Sequence, residues 1–233
     1  MIEITALASG SAGNCYHITD GESPLLIECG LPWREIRKCL DFATSSLAGV
    51  LVSHEHQDHA KSVEDAMKAG LDVYASQGTF DVLGLCGHRA RFVASRKQFA
   101  LGTWTVLPFE TEHDAAEPLG FLLASSNGGK LLYATDTYYV RYRFTGLTHA
   151  MLECNYASDI LAANVANGSV PTALKNRLLR SHFSLANVKG FLRANDLSQV
   201  REIWLLHLSD GNSDAERFRN EVMALTGKPV YVA

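Results

Sequence analysis

With 233 residues, 47% of them hydrophobic and 20% charged, the chain carries enough apolar material for one large domain with an ordinary core. Its net charge of −4 excludes an overtly basic nucleic-acid binder, although divalent cations held at a site would offset that charge locally. No apolar run approaches the roughly 18 residues of a membrane helix, and Met1-Ile2-Glu3 carries an acid where a signal peptide is basic; the cytoplasm is the expected location, with no membrane partner.

Alternation in Ile2-Glu3-Ile4-Thr5-Ala6-Leu7 predicts a first strand. The small-residue loop Ser9-Gly10-Ser11-Ala12-Gly13-Asn14 leads to a second strand over 15–19, and a turn over 20–23 to a third over 25–27. Ile36, Cys39 and Leu40 share one face of a helix over 33–42. The apolar run 47–52 reads as a buried strand, and 60–70 as a helix stopped by Gly70. A short strand over 71–75 and a helix over 77–85 follow. Further strands are predicted over 99–101, 104–109, 120–124 and 130–134, with Asn127-Gly128-Gly129 as a hairpin turn. The last third alternates: strand 150–153, a helical middle, strand 202–206, helix 213–225 and strand 230–232. No repeat or flexible linker interrupts this order, so a single domain over 1–233, with sheets covered by helices, is expected.

The heptapeptide Ser53-His54-Glu55-His56-Gln57-Asp58-His59 directly follows the apolar run. In extended backbone, residues two apart point the same way, so His54 and His56 can face one point. Asp58 and His59, where the chain turns into a helix, can face a second. The helical zinc motif H-E-x-x-H does not fit, because Asp58 stands four residues after His54. So many titratable groups in near-apolar surroundings would be costly without a cation, and the imidazole–carboxylate mixture suits zinc, manganese or iron. The five scattered cysteines contain no C-x-x-C, which argues against a disulfide framework and against a thiolate site.

Four groups within six residues cannot surround two ions, so further ligands must come from other strand ends. His113 follows strand 104–109, Asp136 follows strand 130–134, and His207 follows strand 202–206. Each is a metal-binding residue type just past an apolar run, where a rigid sheet can aim several ligands together. Taken singly, each can also be a cap, a turn former or a surface group.

Together these residues resemble the metallo-β-lactamase superfamily, whose H-x-H-x-D-H motif reads His54-Glu55-His56-Gln57-Asp58-His59 here. His113, Asp136 and His207 match its later motifs in order. The stretches Leu7-Ala8-Ser9-Gly10-Ser11-Ala12-Gly13-Asn14-Cys15 and His113-Asp114-Ala115-Ala116-Glu117-Pro118-Leu119-Gly120 are similar to its branch of small YycJ/WalJ-like nucleases. The resemblance implies a four-layer αβ/βα sandwich of α+β class, without the large insert of RNA-processing members. It implies a pair of divalent ions (Zn2+ or Mn2+) and DNA, rather than RNA, as substrate. By position, His54, His56 and His113 would hold one ion, Asp58, His59 and His207 the other, and Asp136 both. The superfamily usually has aspartate where this chain has Glu28. One methylene longer, Glu28 would need a shifted backbone to support the site from behind.

The expected activity is phosphodiester hydrolysis by a metal-bridging hydroxide, most simply as a DNA exonuclease, with Asp58 orienting the nucleophile or taking its proton. His182, before a helix starting near Ser184 or Leu185, would contact the phosphate or protonate the leaving group, or else cap that helix. The loop with Ser9, Ser11 and Asn14 can offer amides to a phosphate or serve as a plain hairpin connection. Small clusters of arginine and lysine would form a track only if they border the metals, and Tyr138, Tyr139 and Tyr142 can stack on bases or pack. Two other readings keep the metals: hydrolysis of a small ester, thioester or lactone, and a non-catalytic binding module stabilised by its ions.

Overall fold

A computed structural model describes the whole chain, Met1–Ala233. Two compact units are present: Met1–Glu110 with Ala115–Gly129, and Thr111–Asp114 with Lys130–Ala233.

The first unit is built on a six-stranded sheet in simple sequential order. Strands β1 (Glu3–Ala8), β2 (Cys15–Thr19) and β3 (Leu25–Ile27) pair antiparallel. From β3 onward, β4 (Val50–Leu51), β5 (Val73–Ala75) and β6 (Ala90–Phe92) pair parallel. Parallel pairing needs crossovers, and helices α1 (Trp33–Cys39), α2 (Gln57–Ala60), α3 (Val63–Lys68) and α4 (Gln77–Leu83) lie within them. Ile36, Ala60, Val63, Ala66 and Phe80 from these helices pack with Leu26, Val50, Val52, Val73 and Ala75 of the sheet region in one buried cluster. The same unit holds the antiparallel strands β7 (Phe99–Leu101), β8 (Trp104–Glu110) and β9 (Leu119–Ser125).

The second unit contains four parallel strands, β10 (Lys130–Ala134), β11 (His149–Glu153), β12 (Glu202–Leu206) and β13 (Val230–Val232). Helices α5 (Ser158–Ala166), α6 (Thr172–Ser181), α7 (Leu185–Ala194) and α8 (Ala215–Thr226) connect them. Strands β10 to β12 are buried almost throughout, as parallel strands covered on both faces are.

The expected strands over 15–19, 25–27, 99–101, 130–134, 202–206 and 230–232 appear with those bounds. Two expectations are corrected. The helix over 60–70 is two short helices, the first of which starts inside the histidine motif at Gln57. Strand β6, two of whose three residues are exposed, was not expected, because Ala90-Arg91-Phe92 has too little apolar patterning to read as a strand. No helix is long and apolar enough to cross a membrane.

Candidate metal centre

Each unit carries one cluster of donor side chains. In the first, β4 delivers Ser53 and His54 at its C-terminal end, and Asp58 and His59 ride on α2. Backbone hydrogen bonds staple this turn in place. Asn14 N donates to Asp58 O (2.7 Å), Cys29 N to His59 O (2.7 Å), and Ser62 N to Cys29 O (2.9 Å). Gly30 lies against Asp58 so closely that a Cβ there would come within 1.8 Å of the Asp58 carbonyl oxygen. Glycine is the only residue that allows this approach.

His54 Nε2 and His56 Nδ1 face each other at 3.1 Å, and Ser53 Oγ lies 2.8 Å from His54 Nδ1, fixing the ring. The His59 ring stands 4.2 Å from that of His54, with its Nε2 3.4 Å from Asp58 Oδ2. Behind it, Glu28 Oε1 is 3.6 Å from His59 Nδ1, while Glu28 Oε2 accepts from Ser53 N (3.2 Å). Glu28 adopts φ +66 and reaches His59 while fully buried.

Asn14 also backs this cluster: its Nδ2 lies 3.2 Å from His59 Nε2 and donates to Asp58 O (3.2 Å). Its Oδ1 accepts from Gly10 N (3.0 Å) and from the Tyr16 hydroxyl (3.1 Å). Ser9 Oγ lies 2.8 Å from that hydroxyl, and Ser11 is exposed. The amides of Gly10, Gly13 and Asn14 are thus spent on internal bonds. The loop supports α2 and leaves few donors for a phosphate.

In the second unit, neighbouring parallel strands align their C-terminal ends, so Asp136 after β10, Glu153 at the end of β11 and His207 after β12 come together. Single donor atoms of Asp136, Glu153, His182 and His207 all lie within 4.8 Å of one another. Asp136 directs its two oxygens to different histidines: Oδ2 is 3.5 Å from His113 Nε2 and Oδ1 is 3.8 Å from His207 Nε2. Burial pushes the His113 imidazole below its ordinary pKa, opposed by the Asp136 charge. His113 Nδ1 donates to Ser181 O at 2.9 Å, which leaves Nε2 to point at Asp136.

His182 stands between the other imidazoles, its ring 5.4 Å from that of His113 and 5.6 Å from that of His207. Its Nδ1 donates to Glu153 Oε1 at 2.5 Å, and Glu153 Oε2 accepts from Thr137 N and Phe183 N, both at 3.0 Å. Burial works against a charged ring, but the Glu153 and Asp136 carboxylates outweigh it and raise His182 to about 9. The helix-capping role belongs to Ser184, whose side chain accepts from Asn187 N at the start of α7. Glu153 does not stand out in the sequence, because it reads as the last residue of its strand. The signal was present, since a carboxylate ends an apolar run there as Asp136 and His207 follow theirs.

The donor sets fit divalent metal ions. Two imidazole nitrogens on one zinc at about 2.05 Å stand about 3.3 Å apart, close to the 3.1 Å between His54 and His56. The 3.5 and 3.8 Å separations around Asp136 are of the same size. No cysteine belongs to either cluster: Cys15, Cys29 and Cys154 are buried, and burial pushes their thiols well up.

Known proteins agree with this chemistry. The family described as Beta-lactamase superfamily domain matches residues 25–208. Over 232 residues the chain is 30% identical to the exodeoxyribonuclease YycJ of Bacillus anthracis, covering 95% of this chain and 88% of that protein. It is 28% identical over 228 residues to the exodeoxyribonuclease WalJ of Streptococcus pneumoniae serotype 2, covering 90% and 82% respectively. The metallo-β-lactamase fold protein YhfI from Bacillus subtilis superposes with a TM-score of 0.76 at 16% identity, over 100% of this chain and 96% of that one. A diphosphatase of the PhnP family superposes at 0.70 and 15% identity, over 100% and 95%. The expected αβ/βα fold is thereby shown, and no large insert is present. The chain belongs to the metallo-β-lactamase superfamily, in its YycJ/WalJ-like branch, and is a metal-dependent hydrolase.

Proposed function

We propose that the chain is a dinuclear metal-dependent phosphodiesterase that degrades DNA from an end. The second unit's cluster carries this reading: Asp136 turns one oxygen to His113 and the other to His207, with His182 held beside them by Glu153. The names of the relatives from B. anthracis and S. pneumoniae support DNA as the substrate. In this reading His54, His56 and His113 hold one ion, Asp58, His59 and His207 hold the other, and Asp136 joins both. The two units then work as one domain over 1–233. Zinc or manganese matches such mixed imidazole–carboxylate sets.

When bound, the ions supply Lewis acidity toward the phosphoryl oxygens and water activated at neutral pH. Everything else falls to the chain. The Asp58 side chain, 24% exposed, orients the attacking water and accepts its proton. Because Glu153 holds His182 Nδ1, Nε2 is the ring atom that meets the substrate. It gives its proton to the leaving oxygen as the P–O bond breaks, and solvent restores that proton. Glu28, Asn14 and Ser53 keep the ligand rings oriented. In this reading the enzyme acts in the cytoplasm.

Incubation of manganese- or zinc-loaded protein with end-labelled single- and double-stranded DNA and RNA tests the proposal. Stepwise product ladders from DNA, absent with Asp58→Ala, are expected. Turnover of lactones or thioesters without DNA would move the assignment to a small-ester hydrolase. Retained metal with no hydrolysis of any ester would leave a binding module.

A further inference from the structure

The segment after Asp136 reads Thr137-Tyr138-Tyr139-Val140. Thr137 and Val140 are buried at 0% and 4%, whereas Tyr138 and Tyr139 are 37% and 52% exposed. This is not a frayed loop, because hydrogen bonds tie its backbone at successive residues. Thr137 N donates to Glu153 Oε2 (3.0 Å) and Tyr138 N to Glu112 O (3.2 Å). Tyr138 O accepts from Asn187 Nδ2 (2.9 Å), and Tyr139 O from the Thr137 hydroxyl (2.8 Å). The fold therefore fixes the main chain and leaves Tyr138 and Tyr139 partly exposed, while nearby Tyr142 packs toward the buried Phe144 ring at 6.4 Å.

The surroundings specify what such rings would meet. Arg141 and Arg143 are exposed in the same segment, and Arg141 pairs with Glu112, next to His113. Aromatic faces beside guanidinium groups are the chemistry that holds unpaired nucleobases and their backbone. Tyr138 and Tyr139 follow Asp136 by two and three residues, so their Cα atoms lie at most about 7 and 11 Å from its own.

We propose that Tyr138 and Tyr139 form a stacking platform for the unpaired bases of a nucleic-acid end, setting the terminal phosphodiester against the Asp136 cluster. The platform rests on the nuclease reading and refines it: paired ends must open before they are cut, so unpaired ends are preferred.

Metal-free protein and a fluorescently labelled single-stranded oligonucleotide isolate binding from hydrolysis. The double variant Tyr138→Ala/Tyr139→Ala should weaken the affinity read by anisotropy by about 5- to 150-fold for each base that loses its stack. Tyr138→Phe/Tyr139→Phe, which keeps the rings, should bind as the parent does. With metal-loaded protein, the ratio of kcat/KM for the oligonucleotide to that for bis(p-nitrophenyl) phosphate should fall by a similar factor in the alanine variant only. Oligonucleotides with abasic terminal positions should show no difference between parent and alanine variant. Equal affinity in parent and alanine variant would overturn the platform, as would phenylalanine variants as weak as the alanine ones. A parent that cleaves the small diester but neither binds nor degrades the oligonucleotide would instead overturn the nuclease reading itself.

Discussion

Glu28, Asp136 and His207 share an uncommon conformation, with φ of +66, +44 and +52 at residues other than glycine. Such backbone costs on the order of 1–3 kcal/mol at each position and persists only where the surroundings impose it. Here each residue stands just past the end of a strand, and the left-handed turn swings its side chain toward the donor cluster. His182 and Glu153 form the other unusual pair, a buried imidazole held by a carboxylate that two backbone amides also grip. If His182 protonates the leaving group, His182→Gln should lower kcat about 10²- to 10⁴-fold, with the melting temperature of the folded protein little changed. Glu153→Gln should show a smaller loss and an altered pH–rate profile, since it acts through the orientation and charge of His182. A His182→Gln variant that loses stability but turns over normally per folded molecule would reject the role.

Among the elements, the short helix α2 depends on strands that precede it by dozens of residues. Its carbonyls accept from Asn14 and Cys29, and Gly30 lies beneath it. This stapling explains why the expected helix over 60–70 breaks in two: Ser62 N bonds Cys29 O, outside the helical ladder. A second latch ties the β2–β3 turn to the β7–β9 ribbon. Burial raises the Asp20 pKa, but hydroxyl donors from Ser125 and Thr103 and the amides of Ser23 and Glu22 outweigh it, bringing the carboxyl down to about 2. The ionised form is thus favoured by folding. Its contribution is complete above the ordinary value of 3.8 and is lost as pH falls toward about 2. At about 1.4 kcal/mol per pKa unit, the latch stabilises by about 2 kcal/mol at neutral pH. Asp20→Asn should lose about that much at pH 7 in denaturant titrations, and the gap from the parent should close as both are acidified through that window.

For the molecule as a whole, gathering buried carboxylates and imidazoles costs free energy that bound cations would return. Metal at 100 times its dissociation constant adds about 2.7 kcal/mol to stability, which for a chain of this size is about 5–11 °C in melting temperature. Loading chelator-stripped protein with zinc or manganese should therefore raise its melting point by that order. A single calorimetric transition in the loaded protein is expected if both units share the ions; a shift confined to one of two transitions would contradict the shared ligand set.

The donor chemistry and most strand positions are legible in the linear chain. His54, His56, Asp58, His59, Asp136 and His207 declare themselves because chemically unusual residues abut apolar runs, and strands buried on both faces read as uninterrupted hydrophobic stretches. How those groups are supported emerges from packing. Glu153 becomes visible when parallel register aligns the ends of β10, β11 and β12, and Asn14 when its loop is seen to brace α2. Positive φ at Glu28 and the exposure of Tyr138 and Tyr139 are likewise silent in a linear string. Local pattern reports what a residue can do, whereas support, strain and accessibility depend on neighbours that the chain brings close only by folding.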